Sequence, residues 1–423
     1  MSRPLKWSLL ALAALLLLLT GALLVAQHWV ATPEVRQRIE QEAGAALGVP
    51  LQLERVGMTF WPLPGVALDG AVVRTRHPLK VERIELRPAW GQLLLGRLAL
   101  STLVVRRASL PQTGIDALLA SVQKLHRRPA APAGGLPLDL LPRHTVLDEV
   151  SWTSSQGRTL TVQAEAQLDS DAWPERMELE IVRGRLQGTR LDLRRSASRA
   201  WEVALKVAGG TVRGRVDLQP AATAGGEFAL KGQLQTQGVE LAQLTAPEPT
   251  QAAREAQPLS GRLEASTTWS ARARQPSTLL EGLQSQSKFT VHGAVLHGVD
   301  LVKAVQTVGV SRGGETRLDT LSGQVGTRGK AIELQNLAAS SGALSATGQV
   351  SVSPTQQLSG RVNAGIGGAV GVPLAVGGTV DAPEVTLTTG AKIGAALGTV
   401  LMPGVGTGAG ASVGGKLGEL LGK

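Results

Sequence analysis

Trp201-Glu202-Val203-Ala204-Leu205-Lys206-Val207 decides the fold class. Trp201, Val203, Leu205 and Val207 recur every second residue and oppose Glu202, Ala204 and Lys206, the two-residue period of a strand with one apolar and one wet face. Gly209-Gly210 follows at once as a turn. The same alternation sets Met177, Leu179 and Ile181 against Glu178 and Glu180, and Ile332 and Leu334 against Glu333 and Gln335. Gly225-Gly226, Gly293, Gly298, Gly342 and Gly348 punctuate the later runs, so consecutive strands are expected to pair as antiparallel meanders. A helix is predicted over Asp300 to Val308, built on Leu301, Val305 and Val308.

Toward the N-terminus, Leu51 to Leu110 carries short apolar runs broken by Pro62, Pro64, Gly65, Pro78 and Pro88, again a strand pattern. Ile115, Leu118, Leu119, Val122 and Leu125 then switch to helical spacing. Thr32-Pro33-Glu34 opens an earlier helix, with Thr32 as cap, Pro33 at the first position and Gly48 as the stop. Val35, Ile39, Ala43 and Ala46/Leu47 form its apolar face, and Arg36, Gln37 and Glu40 read as a solvated one.

Trp7 to Val30 is almost wholly apolar and follows Arg3 and Lys6. Roughly 20 such residues cross a bilayer core of about 30 Å. The basic flank is expected to stay cytoplasmic and to place the bulk of the chain on the far side. A cleaved signal peptide is the rival reading, but the stretch is long for one and no clean A-x-A site follows. Pro129, Pro132, Pro137 and Pro142 with Gly134-Gly135 forbid both helix and central strand, and Pro247, Pro249 and Pro258 mark a second break. The expected division is therefore an anchor over 1–30, a region 31–126, a linker 127–144, a central β-region 145–245, a linker 246–258, a region 259–389 and a Gly-rich tail 390–423.

The chain has 423 residues, 51 of them Gly, only three Phe and neither Cys nor Tyr. Lack of Cys removes disulfides, thiolate nucleophiles and Cys-ligated metals together. The net charge of +10 would suggest nucleic acid in a cytosolic protein, but the apolar stretch points to a membrane instead, and no nucleic acid is expected as partner. The inward faces of the strands hold mostly Leu, Val, Ile and Ala. Either two sheets cover each other as a sandwich, or one curved sheet leaves its apolar side open as a trough.

Two stretches resemble the AsmA family of inner-membrane-anchored periplasmic proteins. One holds Leu53-Glu54-Arg55-Val56, Thr59-Phe60-Trp61-Pro62-Leu63-Pro64-Gly65-Val66, Leu94-Leu95-Gly96-Arg97-Leu98 and Leu103-Val104-Val105. The other holds Phe289-Thr290-Val291-His292-Gly293, Gly298-Val299-Asp300-Leu301, Gly314-Glu315-Thr316-Arg317-Leu318, Leu321-Ser322-Gly323 and Gly348-Gln349-Val350-Ser351-Val352. Pro373-Leu374-Ala375-Val376-Gly377-Gly378-Thr379 and Pro383-Glu384-Val385 continue it. They lie at the expected ends and in the expected order.

The resemblance implies a mainly β fold: an N-terminal transmembrane helix, then a long antiparallel β-meander curved into an open apolar groove of the repeating β-groove type, with few short helices. It implies a role in handling phospholipid between the inner and outer membranes, and a connection with assembly of outer-membrane proteins. At about 4.8 Å per strand, roughly twenty strands reach on the order of 100 Å at most, short for bridging an envelope alone. The role makes physical sense. About thirty methylenes at about 0.8 kcal/mol each oppose release of a phospholipid into water by on the order of 20 kcal/mol. An apolar trough needs no catalytic residue.

Candidate lining residues are Trp201, Val203, Leu205, Phe228, Leu230, Phe289, Val291, Ile332, Leu334, Val350 and Val352. Candidate headgroup contacts are Arg74, Arg76, Lys80, Arg83 and Arg87, with Arg97, Arg106 and Arg107 nearby; anionic headgroups attract such a patch by about 1 kcal/mol per residue. The plain alternative is a solvated strand face. In the tail, Gly394, Gly398, Gly414, Gly418 and Gly422 at four-residue steps suit helix contact in lipid or a disordered segment.

Enzyme signatures fail on inspection. Gly309-Val310-Ser311-Arg312-Gly313 spells a nucleophile elbow, but no His follows His297. Gly410 to Lys416 spells a phosphate loop, yet Leu417 stands where Ser or Thr would hold magnesium. No cofactor, metal or catalysis is expected. The apolar stretch together with the resemblance implies an inner-membrane-anchored periplasmic protein that binds or transfers phospholipid through an apolar β-groove and supports outer-membrane homeostasis. Membrane phospholipids and outer-membrane or envelope proteins are its expected partners. The alternative is a structural or assembly factor acting through protein contacts.

Overall fold

The computed structural model describes residues 32 to 388, apart from 62, 97–98, 127–140, 221–225, 246–258, 275–278, 280, 299, 307–313, 343, 368–370 and 381. The expected anchor, the Gly-rich tail, most of the first linker, the whole of the second, Val308 of the predicted helix and the elbow-like Gly309–Gly313 lie outside the described residues. Among the described residues, no helix is long and apolar enough to cross a membrane. The protein is mainly β, with a long antiparallel meander and few helices. Two compact units divide the chain between Asp192 and Leu193, inside the stretch that the sequence suggested as one central region.

The first unit opens with the Pro33–Leu47 helix, stopped by Gly48 in the left-handed conformation (φ 70°). Strands β1 (Leu51–Gln52), β2 (Arg55–Thr59), β3 (Gly65–Val73), β4 (Leu79–Pro88) and β5 (Leu100–Pro111) follow, with a short Trp90–Leu94 helix between the last two. Both β1 and β2 pair with β3, which pairs with β4 and then β5, all antiparallel. The Gln112–His126 helix leads into β6 (His144–Thr153), which pairs with β5 in parallel. A parallel neighbour needs a crossover of a dozen residues or more, and the helix with the Pro-rich linker supplies that length. The linker joins paired strands of one unit. Strands β7 (Thr159–Leu168) and β8 (Pro174–Arg183) resume the meander, and β9 (Arg190–Ala197) spans the division.

One face of the first sheet buries Leu53, Val56, Leu68 and Ala71, with Ile39 of the first helix packed on them. Arg36 and Glu40, read from sequence as solvated, fix that helix in place. Arg36 Nη1 donates to the Glu54 carbonyl at 3.2 Å, and Glu40 Oε1 accepts the Leu53 N–H at 2.7 Å. Charged residues on the flank of a helix thus close backbone groups that the short β1 leaves open.

The second unit is one consecutive antiparallel meander: β10 (Ala200–Val207), β11 (Gly210–Gln219), β12 (Phe228–Glu240), β13 (Leu259–Ala273), β14 (Gln284–His297), β15 (Glu315–Arg328), β16 (Ala331–Ser341), β17 (Leu344–Val352), β18 (Leu358–Ile366), β19 (Val372–Gly378) and β20 (Pro383–Leu387). Each strand pairs with the next, so the sandwich reading does not describe this unit. Register shifts interrupt β12, β13, β15 and β16, and such bulges bend and twist a strand. Gly261, at φ 127°, is one of them; a Cβ there would stand 2.7 Å from Val291 Cγ1, so only glycine lets the strands approach.

Beyond the bulges the apolar side closes into a core of Val291, Ala294, Leu318, Leu344, Ala364, Leu374 and Leu387. The Leu301–Gln306 helix plugs it, contributing Leu301 and packing on both β15 and β18. Its first turn is tied down where Thr316 Oγ1 accepts the Leu301 N–H at 2.9 Å and Asp300 Oδ1 accepts that of Lys303.

Candidate functional site

The register carries one residue per strand across the whole second unit. Val203 faces Gly214, then Leu234, Thr267, Ser287, Val325, Leu334, Val350, Gly360, Val376 and Val385. Alternation places the neighbouring rows on the same face. The next row runs through Trp201, Val216, Gly232, Trp269, Ser285, Thr327, Ile332 and Val352, and the row on the other side through Leu205, Val212, Thr236, Ala265 and Phe289. Phe228 and Leu230 meet Ala273 and Ala271 on this same side, and Val291 meets Leu263. All eleven lining candidates therefore share one face.

They do not share one environment. Val291 is 1% exposed and belongs to the plugged core, with Phe289 packed against it. Trp201 is 6% exposed. Val203, Leu205, Phe228, Leu230, Ile332, Leu334, Val350 and Val352 are half-buried, whereas Glu202, Lys206, Lys231, Gln233, Glu333, Gln335 and Ser351 on the opposite side are exposed.

Sequence reasoning missed two features of that face. Thr267 bonds Ser287 (2.8 Å) and Ser285 bonds Thr327 (2.7 Å), a band of paired hydroxyls across β13 to β15 inside an otherwise aliphatic run. The alternation Ser285-Gln286-Ser287-Lys288 carries the signal, because the small residues take the position that Phe289 and Val291 hold further along. The second feature is Trp269, which lies across Gly232 so closely that a Cβ there would fall 2.3 Å from the indole nitrogen.

A concavity of about 1260 Å³ is lined mostly by residues of the opposite face, among them Arg215, Lys231, Gln233, Gln286, Lys288 and Glu333, and also by Gly232, Trp269, Ser285, Ser287, Val325 and Thr327 of the aliphatic rows. Arg215 is committed to Asp217 at 3.0 Å. Most of its lining is polar, unlike the apolar trough expected from the sequence.

The five basic candidates separate in the first unit. Arg83 and Arg87 converge on Glu85, which is 5% exposed, at 3.0 and 2.8 Å, and Arg83 also reaches Asp69 at 3.4 Å. Arg106 adds a third guanidinium at 3.4 Å from Glu85 and extends the ladder to Asp148 at 3.7 Å. Arg74, Arg76 and Lys80 are exposed and, among the described residues, make no ion pair. Only these three retain free charge for an anionic group. Arg107, near this basic patch in sequence, pairs with Glu82.

Among the described residues no cluster of His, Asp and Glu is arranged to hold a metal ion. His292 stands 3.7 Å from Glu264, and His297 stands 3.0 Å from Glu315 and 3.2 Å from the Ser260 hydroxyl, so each is engaged across strands. Fold and site together define a mainly β protein whose second unit is a meander with one aliphatic and one wet face. No family model matches the chain, and no match was found among curated proteins or solved structures.

Proposed function

We propose that this chain is a membrane-anchored periplasmic protein of the AsmA type that holds or transfers phospholipid, with acyl chains lying along the aliphatic face of β10 to β18. The observation that supports this most directly is the half-buried state of Val203, Leu205, Leu230, Ile332, Leu334, Val350 and Val352 in successive rows of one face. A packed core would bury them as it buries Leu374 and Ala364. Partial exposure of so much aliphatic surface is costly in water, at about 25 cal/mol per Å², and an acyl chain removes that cost. The headgroup stays wet; separately, on the first unit, Arg74, Arg76 and Lys80 are exposed cations without an ion pair among the described residues and can attract an anionic membrane surface.

The fragment from Gln27 onward, purified from cells, is expected to carry phospholipid into an organic extract and to take up a fluorescent phospholipid after delipidation. A delipidated fragment that is folded and takes up no labelled lipid sinks the proposal. The polar hollow around Lys231 and Lys288 favours the second reading, an assembly factor working through protein contacts. That reading predicts an envelope protein, and no lipid, retained by the same fragment.

A further inference from the structure

We infer that the end of the first unit built from Phe60, Trp61 and Leu63 and from the Trp90–Leu94 helix with Leu95 seats in the interfacial layer of a lipid bilayer. Six large apolar side chains are exposed there: Phe60, Trp61 at 86%, Leu63, Trp90, Leu93 and Leu95 at 75%. Single exposed apolar residues need no explanation, but a cluster of this size does. The two segments sit at one end of the sheet because Thr59 faces Gly65 and Val66 faces Leu86, which brings the β2–β3 connection beside the end of β4. Hydrogen bonds lock them together. The Trp90 indole N–H donates to the Pro64 carbonyl at 3.2 Å, and Arg87 Nη2 donates to the Trp61 carbonyl at 3.4 Å.

Two observations select a bilayer as the occupant. The first is composition: two indoles among Phe and Leu on adjoining connections suit the boundary between headgroups and acyl chains, where amphipathic rings gather. The second is direction. Gly44 lies against Leu51, Glu40 bonds the Leu53 N–H and Arg36 bonds the Glu54 carbonyl, so the Pro33–Leu47 helix runs opposite to the chain through β1 and β2. Its first residue therefore points the way β2 runs, toward Phe60. The apolar stretch Trp7 to Val30 immediately precedes that helix in sequence. A bilayer crossed by the stretch is on the side toward which the exposed cluster projects. The inference rests on the anchored reading proposed above in this one respect.

Because the chain contains no Cys, one introduced thiol reports one place. Leu63→Cys and Leu95→Cys, each labelled with an environment-sensitive fluorophore on the full chain, are to be compared in vesicles of phosphatidylcholine and phosphatidylglycerol. Gln156→Cys, in the exposed turn between β6 and β7 at the other end of the sheet, serves as control. The expected result is blue-shifted emission at 63 and 95, quenched several-fold by lipids spin-labelled near the headgroup, with no change at 156. Emission at 63 and 95 matching that at 156 overturns the inference, whatever protein the cluster then serves. Alkaline carbonate extraction of the same vesicles reads the anchor separately. A chain released by carbonate removes the anchored reading, whereas a retained chain with water-exposed probes removes only the seated end.

Discussion

The two units put similar backbone to opposite uses. In the first, one sheet face carries a ladder of charge from Asp69 through Arg83, Glu85 and Arg106 to Asp148, ended by Gln163 at 3.1 Å from Asp148. In the second, the corresponding kind of face carries Val203, Leu234, Val325, Leu334 and Val350. The charged face pairs its groups within β4 and with the neighbouring strands; the aliphatic one leaves these side chains half-exposed. Ion pairing thus satisfies the charged groups on that face of the first unit, whereas the aliphatic rows of the second stay partly open to solvent.

Removing the centre of the ladder gives the largest effect. Glu85→Ala leaves Arg87, whose side chain is only 12% exposed, without its ion pair and with only the long hydrogen bond to the Trp61 carbonyl, and loss of one partner of a buried pair costs up to about 3–5 kcal/mol. The more exposed Arg83 and Arg106 will add little to it. Urea unfolding of the variant should show a lowered midpoint for the first unit. An unchanged midpoint would mean that the ladder is ornament and that the contrast between the units is false.

Leu334→Asp strikes the other face. If the position were ordinary core, the variant would scarcely fold; as a half-exposed site in an aliphatic row it is expected to fold, with loss of stability of about 1 kcal/mol. Labelled-phospholipid uptake should fall at least tenfold, about 1.4 kcal/mol in affinity. Glu333→Leu, its neighbour on the wet side, should leave uptake unchanged.

Alternation made the strands and the shared face of the lining candidates readable in the sequence, because a two-residue period fixes side without knowledge of partners, while three- and four-residue spacing marked the Gln112–His126 and Leu301–Gln306 helices. Three things could not be read that way. The parallel β5–β6 pair depends on which strands meet, and periodicity carries no such information. Arg83 and Arg87 look like free surface charge, yet both close on Glu85, whose burial and third cation, Arg106, depend on the neighbouring strand. Val291 and Leu334 have the same local pattern, yet the bulge at Gly261 and the plug at Leu301 bury one and leave the other open. Local pattern sets the face, and long-range closure decides whether it is core or surface.

The hydroxyl band offers a subtler division. Thr267→Val alone leaves the Ser287 hydroxyl without its 2.8 Å partner and should cost about 1 kcal/mol, as should Ser287→Ala alone. Together they remove both groups and should be near neutral, a positive coupling in a double-mutant cycle. Lipid uptake by the double variant should rise, since the aliphatic run becomes continuous there. Additive losses with no gain in uptake would place the hydroxyls in contact with water or another ligand.

The smallest effect tests the charged unit at its rim. The Arg107 hydrogen bond holds the Glu82 carboxyl below its ordinary value of 4.5; desolvation opposes it and the guanidinium charge assists. A depressed carboxylate contributes stability that is fully present above the unfolded value and disappears as pH falls through the folded one. Acid titration followed at the Glu82 carboxyl carbon by NMR should therefore show a midpoint under 4.5, which Arg107→Gln moves upward. Both side chains are about half exposed, so the thermal midpoint near neutral pH should hardly respond, as expected for a surface pair. A midpoint that does not move on substitution would show that solvent, and no cross-strand partner, sets the charge at this edge, confining the self-completed character of the first unit to the buried Glu85.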